Sequence, residues 1–195
     1  SSQDQSILRS SLLPGLLQTA KHNFNQGNKN LSLFEIGKIH FKEKESLQEK
    51  MCVAILLCGK KTAPSWDLKP EEYDFFDLKG VLENLLEALH LSSLSFHPSH
   101  LHTLHPWRQA HLKKESNLLG ALGEVHPSLL SQFDLKEKVY FAELSLSDLL
   151  NMQERKKPCK ELPLFPGSER DWTLTLPKHI PLEIVFQAFK QTPSY

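Results

Sequence analysis

Histidine is the densest chemistry-bearing feature of this sequence. His97, His100, His102 and His105 give H-x2-H-x-H-x2-H within nine residues, with His111 beyond. Zinc or a similar ion needs three or four N, S or O ligands converging in one shell, and imidazole suits it. A helical ligand pair needs i, i+4 spacing, whereas Pro98 and Pro106 favour an extended loop and the run holds no carboxylate. The run therefore reads as solvated loop histidines or polar residues of a nucleic-acid-facing surface. A stand-alone metal-dependent enzyme built on His97 to His111 is the alternative.

Other reactive types are isolated. Cys52 and Cys58 share a parity, so on one strand they lie on the same face about 20 Å apart at about 3.3 Å per residue, too far to share an ion. They read as small buried hydrophobes, and Cys159 has no evident base beside it. With eight glycines the chain contains neither G-x-x-x-x-G-K-[ST] nor G-x-G-x-x-G, so both nucleotide fingerprints are missing. Arg9, Arg108, Arg155 and Arg170 are scattered singly, whereas holding a triphosphate in a transition state needs several converging guanidinium forks. Glu35 and Glu124 are lone carboxylates, read as hydrogen-bonded strand residues rather than tuned acids.

Composition narrows the classes further. The 195 residues carry 23 Lys+Arg against 23 Asp+Glu and are 39% hydrophobic, the profile of a globular chain that buries a core without staples. Zero formal charge argues against bulk, sequence-blind binding of nucleic acid. Three cysteines without regular spacing point to reduced thiols and a cytoplasmic setting. The longest strongly apolar run, Met51 to Cys58, is far shorter than the ~20 residues of a membrane span. The start lacks a signal-peptide pattern, and the chain is expected to begin mid-protein.

The elements that position these residues follow from periodicity. Leu13, Leu16, Leu17, Ala20 and Phe24 share one helical face over Leu12 to Phe24, with Ser10 or Ser11 as cap and Pro14 in the first turn. Leu31 to Phe41 alternates with period two, both faces partly buried, and pairs with the continuous strand Met51 to Cys58 across a charged loop, Lys42 to Lys50. Asp74 caps a helix running to Leu91, with Phe75, Leu78, Leu82, Leu85, Leu86 and Leu89 in one stripe. A strand over Leu94 to His97, a hairpin from Gln109 to Glu124 turning at Lys113 to Asn117, and a strand over Val139 to Leu146 complete the sheet-rich half. The domain expectation is a core over 1–155, a charged Pro/Gly linker over 156–168, and a strand (Arg170 to Leu176) plus a helix (Pro181 to Lys190) over 169–195.

Several segments, in order, resemble the beta subunit of bacterial phenylalanyl-tRNA synthetase. They are Leu8 to Leu17, Leu33 to Phe41, Phe75 to Gly80, Leu104 to Ala110 (the family's "LHPGRSA"), and Leu119 to Pro127, a glycine hairpin running into a helix. Arg170 to Leu174 is similar to the "RDLAL" strand that opens the family's C-terminal ferredoxin-like anticodon-binding domain. Trp107 stands where the family usually has glycine.

The resemblance implies an α+β fold: an antiparallel sheet flanked by helices, a class II aminoacyl-tRNA synthetase-like core that does no chemistry, followed by the opening strand and helix of the ferredoxin-like domain. A working class II site carries an arginine in its second motif and a glycine-rich stretch ending in Glu-Arg in its third. Here the corresponding strand carries Lys38 and the hairpin reads Gly120 to Val125. No catalytic, cofactor-binding or metal residue is expected on the chain. The implied role is a scaffold for the alpha subunit in an (αβ)2 heterotetramer that charges tRNA(Phe) with phenylalanine, the holoenzyme using ATP and Mg2+. Implied subunit-interface residues are Leu8, Arg9, Leu12, Leu13, Leu16, Leu17, His105, Trp107 and Arg108, and Arg170 is the implied tRNA contact. A generic protein-binding module is the remaining alternative.

Overall fold

The computed structural model describes residues 8–43, 45–62, 65–67, 69–152, 169–177 and 180–191. The chain divides into two compact units, Ser1–Lys157 and Pro158–Tyr195. The expected linker over 156–168, with Cys159, lies outside the described residues.

The first unit is a six-stranded antiparallel sheet between two layers of helix. Its elements in chain order are α1 (Leu13–Asn25), β1 (Leu31–Glu43), β2 (Ser46–Cys58), α2 (Phe75–Ala88), β3 (Leu94–Pro98), β4 (Leu104–Lys114), β5 (Asn117–Val125), α3 (Pro127–Gln132), β6 (Val139–Ser145) and α4 (Leu146–Asn151). The spatial order is β1-β2-β6-β5-β4-β3, so β6 is inserted between the two hairpins. Strand alternation sends residues to two cores. On one face Ala54, Leu56 and Phe141 pack with Leu12, Leu16 and Leu17 of the α1 region and Leu130 of α3. On the other, Val53, Leu57 and Leu144 pack with Leu78 and Leu82 of α2 and Leu149 of α4. The continuous apolar run of β2 serves both at once, which is why it shows no alternation.

Both long helices appear where periodicity places them, and Asp74 caps α2 in a reciprocal box with Asp77. The serine-cap expectation for α1 holds in part: the N-cap position is Leu12, which has no side-chain bond of its own, but Ser11 Oγ accepts from the Leu13 N–H at 3.1 Å. The charged loop expected over Lys42 to Lys50 is instead strand: β1 and β2 stay in register to Glu43 opposite Ser46, and Lys38 pairs with Glu49 across them at 2.6 Å. Charge there marks solvated, paired strand ends rather than a loop. The second face of β1 is not buried either, since Phe34 is 73% and Ile36 54% exposed. The extended loop expected around Pro98 and Pro106 is partly strand: Pro98 closes β3, and Pro106 sits in β4 where the register to β5 shifts between Leu104 and Gln109. Such an irregularity tolerates a residue that cannot donate to a ladder.

In the second unit, α5 (Leu182–Gln191) forms as expected, and Trp172 meets Phe189 edge to face at 6.4 Å. Arg170 to Leu176 does not form the expected strand. Alternation marks two faces, but a strand exists only through a neighbour's backbone, and among the described residues no ladder partner lies beside it.

Candidate functional site

The expected interface residues separate into two environments. Leu12, Leu13, Leu16 and Leu17 are buried in the chain's own core, which removes them from any exterior contact surface. The amphipathic stripe of α1 is consumed by β2 and β6. Leu8 remains outside at 56% exposure. Beside it, Arg9 straps the outer edge of β1: its carbonyl accepts from the His40 N–H at 2.8 Å, its Nε donates to the Lys38 carbonyl, and its Nη1 reaches Glu35 Oε1 at 2.6 Å. Gly37 makes room for this, since a Cβ there would meet the guanidinium.

His105, Trp107 and Arg108 belong to the irregular opening of β4. Trp107 is 90% exposed, and its N–H donates to His105 Nδ1 at 3.2 Å. Gln109 holds the preceding loop: its Oε1 accepts from Ser99 Oγ and the Leu101 N–H, both at 2.7 Å, and its Nε2 donates to the His105 carbonyl. Two residues of the expected histidine loop are opposed across strands, His97 in β3 facing His111 in β4. His97 Nε2 is tied to Ser95 Oγ at 2.8 Å. Among the described residues no group of three or more His, Cys, Asp or Glu side chains is placed to share an ion.

An open cleft of about 710 Å3 lies between the start of α2, β3 and β4. Its polar centre is an ion pair on adjacent strands: Arg108 Nη1 donates to Glu124 Oε2 at 2.7 Å, with the arginine half exposed and the carboxylate side chain only 5% exposed. The bond to Glu124 holds the guanidinium even more firmly protonated than usual. Tyr140 of β6, opposite Glu124 in register, is pushed above the ordinary phenol range by burial and by that carboxylate's charge. Gly123 lets β4 approach, because a Cβ there would stand 2.7 Å from the Arg108 carbonyl. Thus the two lone carboxylates and two of the lone arginines of the sequence pair off, Arg9 with Glu35 and Arg108 with Glu124.

Burial pushes Cys52 up to about 11 and Cys58 up to about 12, so both thiols stay protonated and unreactive near neutral pH. Arg170 is exposed and donates to the neighbouring Glu169 carbonyl at 2.9 Å. Sequence reasoning missed Gln109 and Glu143, ordinary strand residues whose partners lie in loops and helix ends. Glu143 has no local signal at all: its Oε2 accepts from the Leu12 N–H at 2.6 Å and from Ser11 Oγ at 3.0 Å, more than 130 residues away.

Residues 1–146 match the family model described as "Phenylalanyl tRNA synthetase beta chain CLM domain". The phenylalanine–tRNA ligase beta subunit of Protochlamydia amoebophila is 42% identical over 98% of this chain and 24% of its own length. That of Chlamydia pneumoniae is 40% identical over 95% and 24%, and that of Syntrophotalea carbinolica 31% over 97% and 24%. The chain therefore spans about a quarter of the length of these curated relatives. Among solved structures, a pyrrolysyl-tRNA synthetase, PylSc of Desulfitobacterium hafniense, is similar with a TM-score of 0.55 at 18% identity, covering 79% of this chain and 54% of that one. At that identity the likeness concerns the fold alone.

Proposed function

The chain belongs to the phenylalanyl-tRNA synthetase beta-chain CLM-domain family, a beta-chain domain of phenylalanine–tRNA ligase, and from this premise we propose that it scaffolds an alpha subunit and performs none of the chemistry itself. The observation that carries the reading is the Arg108–Glu124 pair. Stabilising a polyphosphate takes uncompensated guanidinium groups aimed at the developing charge. In this cleft Arg108 and Lys138 face Asp74 and Glu124, and the arginine is already bonded to a buried carboxylate. These residues do not fit ATP with Mg2+, so both are assigned to the holoenzyme outside this chain.

The partner is the alpha subunit, in an (αβ)2 assembly that charges tRNA(Phe) with phenylalanine in the cytoplasm. Free Cys52 and Cys58 agree with a reducing compartment, and no helix among the described residues is long and apolar enough to cross a membrane. The proposed contact residues are the members of the expected set that are not buried: Leu8, Arg9, Trp107 and Arg108, which are exposed, and His105, which is half-buried. Phe34 and Ile36 join them because the structure exposes them beside Val81 in an apolar groove. Arg170 stays the proposed tRNA contact.

The test is ATP–pyrophosphate exchange with phenylalanine, together with co-purification with a purified alpha subunit. The chain alone should give no exchange and should retain alpha on a column. Exchange by the chain alone overturns the non-catalytic part, and failure to retain alpha overturns the scaffold part.

A further inference from the structure

We propose that the cleft between the start of α2, β3 and β4 is a ligand site for a neutral molecule carrying a flat aromatic ring and a carbonyl or ring-nitrogen acceptor. The site is that of the chain free of the alpha subunit, because Trp107 and Arg108 are also among the proposed alpha contacts. The cleft's volume of about 710 Å3 lies within the roughly 300–1,000 Å3 of small-molecule pockets. Its walls are aromatic: Phe76 and Trp107 line it while 74% and 90% exposed, and Phe96 and Tyr140 line it from the sheet. Large aromatic rings held at one cleft gain by stacking on a flat partner, beyond the area they bury.

The polar groups set the ligand's charge. Glu124 takes one Nη1 donor of Arg108, and the half-exposed guanidinium, with five N–H donors in all, still faces the cleft. An acceptor there gains a charge-assisted hydrogen bond. An anionic acceptor additionally meets the buried Glu124 carboxylate, whose charge already compensates the arginine. A neutral acceptor takes the bond without that repulsion, so the pair selects for neutrality. The lining charges balance as well, Arg108 and Lys138 against Asp74 and Glu124.

The experiment is a 1H–15N NMR titration of the full chain with two matched pairs of probes: benzamide with benzoate, and indole-3-carboxamide with indole-3-carboxylate. Saturable shifts at the amides of Trp107, Arg108 and Phe76 are expected, with each amide binding about tenfold more tightly than its carboxylate. Trp107→Ala, at an exposed position that leaves the fold intact, should weaken both amides about tenfold. Glu124→Gln frees the arginine's charge and should reverse the order, the carboxylates then binding more tightly. Absence of saturable shifts with all four probes, equal or tighter binding of carboxylates to the unmodified chain, or unchanged affinity in Trp107→Ala overturns the proposal. If Glu124→Gln loses its dispersed spectrum, Trp107→Ala and the amide-to-carboxylate ratio of the unmodified chain still decide it.

Discussion

Glu143, in the middle of β6, receives the backbone N–H of Leu12 at 2.6 Å and so holds the entrance of α1 against the centre of the sheet. Leu12 is fully buried, which leaves its N–H no access to water. Removing the carboxylate with Glu143→Ala orphans that donor and should cost about 1–3 kcal/mol in urea unfolding. Glu143→Gln keeps an acceptor and should recover most of the loss. Equal stability of the alanine variant and the parent would show the contact to be unimportant.

Two glycines of β1 and β5 should respond differently to the same added methyl. At Gly120 a Cβ collides with the Glu143 carbonyl and the Leu144 backbone of β6, and neither can move without breaking the ladder. At Gly37 the nearest obstacle is the flexible end of Arg9, with the Leu12 side chain at 3.2 Å having to give only slightly. Gly120→Ala should therefore lower the melting temperature sharply. Gly37→Ala should change it little while displacing the arginine from Glu35. Thermal denaturation of the two variants side by side checks the order.

Burial separates structural leucines from contact leucines. Leu17→Ala empties a fully buried site between α1 and the sheet and should cost about 2–5 kcal/mol. Leu8→Ala, at an exposed position, should stay within about 0.5 kcal/mol. Retention of the alpha subunit should fall with Leu8→Asp at unchanged stability, measured by denaturant unfolding of the chain alone and by co-purification.

Acid should weaken the first unit through His111. Burial, then the Lys113 ammonium and the His100 and His97 imidazoles, hold it below the ordinary imidazole range. The unfolded chain then binds this proton more readily than the folded one, so unfolding is favoured as the proton is taken up. The contribution is complete above about pH 6.5 and is lost as pH falls through the lower folded value. His111→Gln should flatten the part of the stability profile that falls away below about pH 6.5, and an unchanged slope would contradict the assignment.

Thiol chemistry offers a readout of opening. With Cys52 at about 11 and Cys58 at about 12, both held up chiefly by burial, neither forms thiolate at pH 8 in the folded chain. Iodoacetamide followed by residue-specific mass spectrometry should label these two only under unfolding conditions. Rapid native labelling of either would mean that β2 is not enclosed as described.

Local chemistry made the helices legible. The leucine spacing of α1 and α2 and the Asp74 cap act within one or two turns, so each can be read from its own segment. The eight-residue apolar run of β2 likewise announced a strand covered on both faces. The charged stretch between β1 and β2 misled, because solvent-facing strand ends and loops share a composition. What distinguishes them is a partner on the neighbouring strand, as Lys38 and Glu49, diagonal across the ladder, show.

The candidate site was legible in parts only. Glu35, Glu124, Arg9 and Arg108 stood out as isolated charges in the sequence, but which arginine met which carboxylate was not written there. Pairing Arg108 with Glu124 required β4 to lie beside β5 with its register shifted between Leu104 and Gln109, and pairing Leu12 with Glu143 required β6 to be inserted between hairpins. Periodicity and capping are short-range, so the sequence by itself determined the two long helices with their buried faces, the doubly covered β2 and the resemblance to a family. Strand order is set by the burial of both sheet faces at once, a property of the whole assembly. Only the tertiary structure decided which charges neutralise one another, which leucines are spent inside, and where an aromatic cleft stays open.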